Sequence, residues 1–316
     1  MSRGRRSRAP DVREANAHAA SPAAGHRAGV VALLGLPNAG KSSLLNRLVG
    51  HKLAIVTPRP QTTRGRLLGI LTLPGAQILF VDTPGLHTGA RPLHAAMHEA
   101  AREAADDCDV ALLVVDPQQG LGDGVAQTLA RLATRRTPVL LVGSKSDLPA
   151  AAAAAAPWPP AVDPAPAAVL RVSAQTGHGI AALIAAIVER LPEAPPYYPE
   201  DELTDRPLRF LAAELVREAA FGALHEELPY AVAVEVTAFD ESRPDLVRID
   251  ADLLVERESQ KRIAVGAGGE MVKRIGTRAR IEIERLCGCR VHLALRVKVE
   301  PHWSRRRERI DALGYR

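Results

Sequence analysis

Cysteine is scarce in this chain, and so are aromatic rings. Only Cys108, Cys287 and Cys289 occur in 316 residues. Cys287-Gly288-Cys289 could form a redox or metal pair, but no second pair lies nearby, so all three are read as incidental buried thiols, and nothing argues for an oxidising compartment. Phe, Trp and Tyr together make up 3% of the residues. Ala, Arg, Gly and Pro are plentiful instead, which is read as genomic bias rather than function. No run of about 18 apolar residues occurs, so no membrane-spanning helix is expected. The alanine run 150–156 is too short and stops at Pro157. An acidic excess is missing as well. The net charge is +5 and the pI about 9.4, a mild pointer to a polyanionic partner.

Residues 1–28 carry Arg3, Arg5, Arg6, Arg8, Arg13 and Arg27 among Ala, Ser, Gly and Pro, without apolar periodicity. This reads as a disordered basic tail. Two sharper readings are an electrostatic arm for RNA and an organellar transit peptide; Asp11 and Glu14 weigh against the second. No apolar segment of a secretory signal is present.

What is there is concentrated in Gly35-Leu36-Pro37-Asn38-Ala39-Gly40-Lys41-Ser42. It fits G-x-x-x-x-G-K-[ST], a phosphate-binding loop. Gly35 and Gly40 let the backbone curl so that N–H groups face phosphate oxygens. Lys41 reaches the outer phosphates and Ser42 offers its hydroxyl to Mg²⁺. The apolar run 29–34 reads as a buried strand, and Ser43 to Val49 as a helix that opens at the loop. Strands are then expected at 77–82, 109–116, 138–143 and 168–172, with helices at 93–107, 124–134 and 179–191. This alternation is a doubly wound, mostly parallel α/β sheet over residues 29–195.

Ligands of such sheets sit at the carboxyl ends of the strands, where further motifs fall. Asp82-Thr83-Pro84-Gly85 ends one strand: Asp82 can hold Mg²⁺ through water, and the Gly85 N–H can sense a γ-phosphate. Alone it would be an ordinary turn. In Pro60-Gln61-Thr62-Thr63-Arg64, a threonine can complete the Mg²⁺ shell; Thr63 is preferred over Thr62. Ser144-Lys145-Ser146-Asp147 supplies a carboxylate for the N1–H and amine of guanine, and the Lys145 stem can cover the base. Ser173 and Ala174 add a backbone donor to the guanine oxygen. In this order the motifs point to GTP and GDP rather than ATP.

The residues 35–42, 60–64 and 82–86 (the last ending at Leu86) resemble the Era family of translation-factor-related GTPases. The likeness covers nearly everything after the tail. The family expects Asn where Ser144 stands, which implies weaker hold on the base with guanine preference kept by Asp147. Six prolines between 149 and 166 allow only a short helix where the family carries one. Leu86 cannot orient water, so the resemblance implies a slow GTPase. Catalysis is then assigned to Lys41, Asn38, Thr63, Gly85 and Mg²⁺. Asn38 resembles the residue that helps bind an activating K⁺.

A proline-rich, acidic linker spans 196–206, and a second domain spans 207–316. Its expected order is a helix (208–227), two strands (230–236 and from 246), two helices joined at Gly266-Ala267-Gly268-Gly269, and a strand (290–299). That is the order of an α+β type II KH domain, which binds single-stranded RNA at its G-x-x-G turn. Lys261, Arg262, Lys273 and Arg274 are the candidate RNA contacts beside the turn. Residues 256–316 hold 16 Lys and Arg against 8 Asp and Glu, which suits a phosphate backbone. Trp303 and Arg305 to Arg307 read either as RNA-stacking groups or as part of a solvated helix.

The resemblance implies a GTP-hydrolysing switch that binds the 3′ end of 16S ribosomal RNA and assists 30S subunit assembly. It implies a bacterial cytoplasmic monomer with peripheral association at the inner membrane as an option; an organellar homologue would keep the same chemistry. The alternative is an RNA-binding assembly scaffold whose nucleotide site has decayed.

Overall fold

The computed structural model describes residues 25–59, 62–85, 92–121, 124–148, 158–163 and 165–315. Leu86, Pro60, Gln61, the basic tail before residue 25 and residues 149–157 of the proline-rich stretch lie outside the described residues.

The first unit is built on a six-stranded sheet. Its strands are β1 (Arg27–Leu34), β2 (Leu67–Leu73), β3 (Ala76–Asp82), β4 (Val110–Val115), β5 (Val139–Gly143) and β6 (Ala168–Arg171). They lie in the order β2-β3-β1-β4-β5-β6, parallel except for β2. β2 is not among the expected strands. Pro74 and Gly75 close a two-residue hairpin, with Gly75 at φ +82°, and so β2 runs antiparallel to β3. β1 starts at Arg27, two residues inside the segment read as tail.

The strands are almost continuously apolar because both sheet faces are covered. Val31, Leu33, Phe80, Leu112 and Leu140 pack beneath α1 (Lys41–Val49) and α4 (Ile180–Val188). Val30, Ala32, Leu79, Leu113 and Leu141 face the opposite way, toward α2 (Pro92–Asp107) and α3 (Gly124–Thr134). Gln77 is fully buried; it donates to the Tyr198 carbonyl and accepts the N–H groups of Tyr197 and Tyr198. The stretch joining the two units is thereby pinned along the sheet.

The second unit has three strands, β7 (Ala233–Arg243), β8 (Leu246–Val255) and β9 (Arg290–Val299), with β7/β8 antiparallel and β8/β9 parallel. Around them stand α5 (Leu208–Ala223), the single turn α6 (Leu228–Ala231), α7 (Glu258–Val265), α8 (Glu270–Cys287) and α9 (Arg307–Ala312). Tyr230, expected to open a strand, lies in α6; Pro229 near the start of that turn favours the helical φ. Val216, Ala220, Ile249, Leu253, Ile275 and Ile283 form the core on one sheet face. On the other face, Ala233 and Leu254 pack with Trp303, Ile310, Leu313 and Tyr315, and these in turn with Leu93, Ala96 and Met97 of α2. The C-terminal segment is therefore a wedge shared by both units. Among the described residues no helix is long and apolar enough to cross a membrane.

Candidate nucleotide site and nucleic-acid face

The loop between β1 and α1 is fixed by its glycines. A Cβ on Gly35 (φ +147°) would lie 2.2 Å from the Val114 carbonyl oxygen. Gly40 (φ +94°) caps α1 in the left-handed region, which frees the first helical N–H groups for an anion. Asn38, also at positive φ, donates its amide to the Pro58 carbonyl at 3.0 Å and so ties this loop to the segment after α1. Lys41 is buried and donates to the carbonyls of Gly35 (3.1 Å) and Leu36 (2.9 Å). Burial pushes its ammonium down to about 8, against the opposing pull of Asp82.

Three oxygens converge beside it. Ser42 Oγ donates to Asp82 Oδ2 at 2.6 Å, Thr63 Oγ1 lies 2.9 Å from Ser42 Oγ, and Thr63 donates weakly to Asp82 at 3.4 Å. Asp82 is fully buried, and its Oδ1 has no hydrogen-bond partner among the described residues. Burial holds its carboxyl above the usual range, with Lys41, Ser42 and Thr63 pulling the other way. Two hydroxyls and an orphaned carboxylate oxygen are the donor set of a hard cation such as Mg²⁺, which would neutralise phosphate charge when bound. Thr62 also borders the cleft, but its hydroxyl is bonded to Thr57 Oγ1 and the Arg59 carbonyl rather than to Ser42 or Asp82. Thr83 is buried and donates to the Leu33 carbonyl, a packing role. Gly85 lies against the phosphate loop: a Cβ there would meet Pro37 N at 2.5 Å.

A cleft of about 520 Å³ runs from Ser42, Ser43 and Thr63 past Gly40 to Asp116 and Lys145. Ser144 is buried and donates to the carbonyls of Ala39 (2.6 Å) and Val115 (3.2 Å). Lys145 (φ +55°) pairs with Asp116 at 2.8 Å. Sequence reasoning missed Asp116, although its place at the end of a strand was a usable signal. Ser146 N–H donates to the Val172 carbonyl, and Ser173 Oγ accepts the Thr176 N–H. This joins the 144–147 loop to the Ser173–Ala174 loop. Asp147 is exposed and stands outside the residues lining the cleft.

In the second unit, α7 turns into α8 at Gly266 to Gly269. Gly266 (φ +74°) has no room for a Cβ, which would approach Met271 Cβ at 2.7 Å. Gly268 and Gly269 have nothing within 4 Å of such an atom, so the outer side of the turn is open to an approaching backbone. Beside it, Val272, Lys273, Gly276, Thr277, Leu293 and Leu295 line a groove of about 320 Å³ between α8 and β9.

A family profile described as "50S ribosome-binding GTPase" matches residues 30–145, and one described as "KH domain" matches 227–304. GTPase Era of Geobacter metallireducens is 43% identical over 291 residues, 92% of this chain and 98% of that protein. GTPase Era of Stenotrophomonas maltophilia is 45% identical over 294 residues, again 92% and 98%. The chain belongs to the Era GTPase family. Two Era crystal structures superpose with a TM-score of 0.83 at 36% identity, covering 92% of this chain and 99% of theirs. One holds MgGDPNP and nucleotides 1506–1542 of 16S ribosomal RNA; the other, from Aquifex aeolicus, is bound to GDP and AlF₄⁻. The chain is thus a GTPase with a phosphate-loop domain followed by a KH domain.

Within this Era-type frame the C-terminal reading needs correction. Trp303 is fully buried and donates its indole N–H to the Ala231 carbonyl, so its ring is closed to RNA. Arg306 pairs with Glu300, and Arg307 with Glu99 and Asp311. Arg305 is exposed, as are Arg262, Ala267, Lys273 and Arg274; Lys261 is half-buried. Cys108 is buried while Cys287 and Cys289 are only partly so, and all three are free thiols.

Proposed function

We propose that this Era-type GTPase is a nucleotide-controlled switch that binds the 3′ region of 16S ribosomal RNA and assists assembly of the 30S subunit in the bacterial cytoplasm. The observation that carries the reading is the convergence of Thr63, Ser42 and Asp82 beside Lys41, in a chain that also presents an open G-x-x-G turn. A triphosphate would hold Thr63 and Gly85 near the phosphate loop, and hydrolysis would release them. The family profile speaks of the large subunit, but the related Era structure with a 16S segment favours the small one. Asn38 is the residue we assign to K⁺ activation, and Asp147 to guanine selection. No side-chain base is invoked, so slow intrinsic turnover is expected.

GTP turnover by the full chain tests this, in K⁺ buffer, with and without an oligonucleotide of the 16S 3′ region. ATP and Lys41→Ala serve as controls. Turnover that is GTP-selective, rises with RNA and vanishes in the control supports the switch. RNA binding with no guanine-nucleotide binding would leave a scaffold instead.

A further inference from the structure

The segment that carries Thr63 is strapped to the other domain as well as to its own phosphate loop. Val56 N–H donates to Glu218 Oε1 at 3.0 Å, and Arg59 Nη1 to the Leu224 carbonyl at the end of α5 at 2.7 Å. Arg64, next to Thr63, is 3% exposed. Its guanidinium donates to the carbonyls of Val232 (2.6 Å), Tyr230 (2.9 Å) and Pro229 (3.4 Å). Those carbonyls belong to the C-terminal end of α6, where a helix leaves acceptors without intrahelical partners. Trp303 takes the remaining one, on Ala231. Three rings, of Phe221, Trp303 and Tyr315, stand 5.5–5.8 Å from the Arg64 guanidinium carbon. The cage also contains a second buried arginine, Arg217, ion-paired with Glu214 and stacked on Phe221 and Tyr315. Burial, and after it the like charge of Arg217, pushes Arg64 down to about 10. A cation is therefore held here at a cost that its carbonyl acceptors, the rings and the nearby Glu214 charge offset.

We infer that Arg64 is a positioning residue for the GTPase reaction: anchored in the KH domain and C-terminal wedge, it holds Thr63 over Ser42 and Asp82. The KH domain then acts as the support of the switch loop as well as a reader of RNA. Coupling runs both ways by linkage. Anything that orders Thr63 favours the Arg64 cage, and whatever loosens α6 and β7 loosens Thr63. The inference rests on the reading of Thr63 as the triphosphate-sensing threonine.

The test uses the full chain with Arg64→Met and Arg64→Lys, and Thr63→Ala as reference. Affinities for GDP and for a non-hydrolysable GTP analogue are measured by titration in Mg²⁺ buffer, and kcat and KM by phosphate release. Arg64→Met is expected to leave GDP affinity within about twofold while weakening the analogue roughly tenfold and lowering kcat, as Thr63→Ala does, a difference of about 1.4 kcal/mol. Arg64→Lys keeps a cation among the rings but loses the fork geometry, and is expected to fall between the parent and Arg64→Met. Should Arg64→Met misfold by thermal scan, the lysine variant decides alone. Equal weakening of GDP and the analogue in a folded variant, or no change in either, overturns the inference. If Thr63→Ala itself leaves the GDP-to-analogue ratio unchanged, the Thr63 reading fails rather than the Arg64 anchor alone.

Discussion

Ser144 shows how one short side chain keeps half of a longer one's work. An asparagine would reach both the base and the phosphate loop. The hydroxyl reaches the phosphate loop through the Ala39 carbonyl at 2.6 Å and the end of β4 through the Val115 carbonyl at 3.2 Å. Ser144→Ala should leave the Ala39 carbonyl unpaired and weaken GDP binding five- to tenfold, about 1–1.4 kcal/mol by calorimetric titration. Lys41 offers a pH test. Its folded-state value near 8 lies below the ordinary 10.5, so between these limits the unfolded chain binds the extra proton. Stability attributable to this group therefore rises with pH across that window. Below pH 8 the nucleotide-free protein carries the full penalty. Lys41→Met should be more stable than the parent at pH 7.5, by up to about 3 kcal/mol, and lose this advantage by pH 10.5. Urea denaturation at several pH values reads the difference directly.

At the level of elements, the α7–α8 turn presents Ala267 where a basic residue would meet a phosphate. Ala267→Lys should tighten RNA binding uniformly across sequences. It should also steepen the log K against log[salt] slope by roughly 0.7 to 1; fluorescence anisotropy at a series of KCl concentrations measures both. Much of this architecture was readable beforehand because its signals are local. The phosphate loop, the apolar strands and the G-x-x-G turn each announce themselves within ten residues. β2 was not read, although Pro74–Gly75 marks its hairpin. Trp303 was misread because a lone ring beside arginines looks the same in sequence whether it faces water or a core. The Lys145–Asp116 pair and the Arg64 cage join residues far apart in the chain, and no short window contains them.

On the scale of the whole molecule, the centre of the domain contact is buried and largely apolar. Leu93 and Met97 meet the C-terminal wedge, and Arg64 is buried, while Lys52 bridges Glu218 and Glu282 only at the partly exposed rim. Rim pairs of this kind contribute less than about 1 kcal/mol and are screened by salt. Raising KCl from 50 to 200 mM should therefore leave the thermal unfolding midpoint nearly unchanged while weakening RNA binding at least tenfold. Scanning calorimetry and anisotropy on the same samples separate the two effects.

The wedge also sets an order of events during synthesis. Trp303 and Tyr315, two walls of the Arg64 cage, are translated roughly 250 residues after the arginine they enclose, a delay of some 12–50 s at ordinary elongation rates. Through that interval Arg64 lacks these two rings, although Phe221 and the Val232 carbonyl are translated earlier. Closure of the two halves is a late event of biogenesis, reached only once the last helix has left the ribosome's exit tunnel.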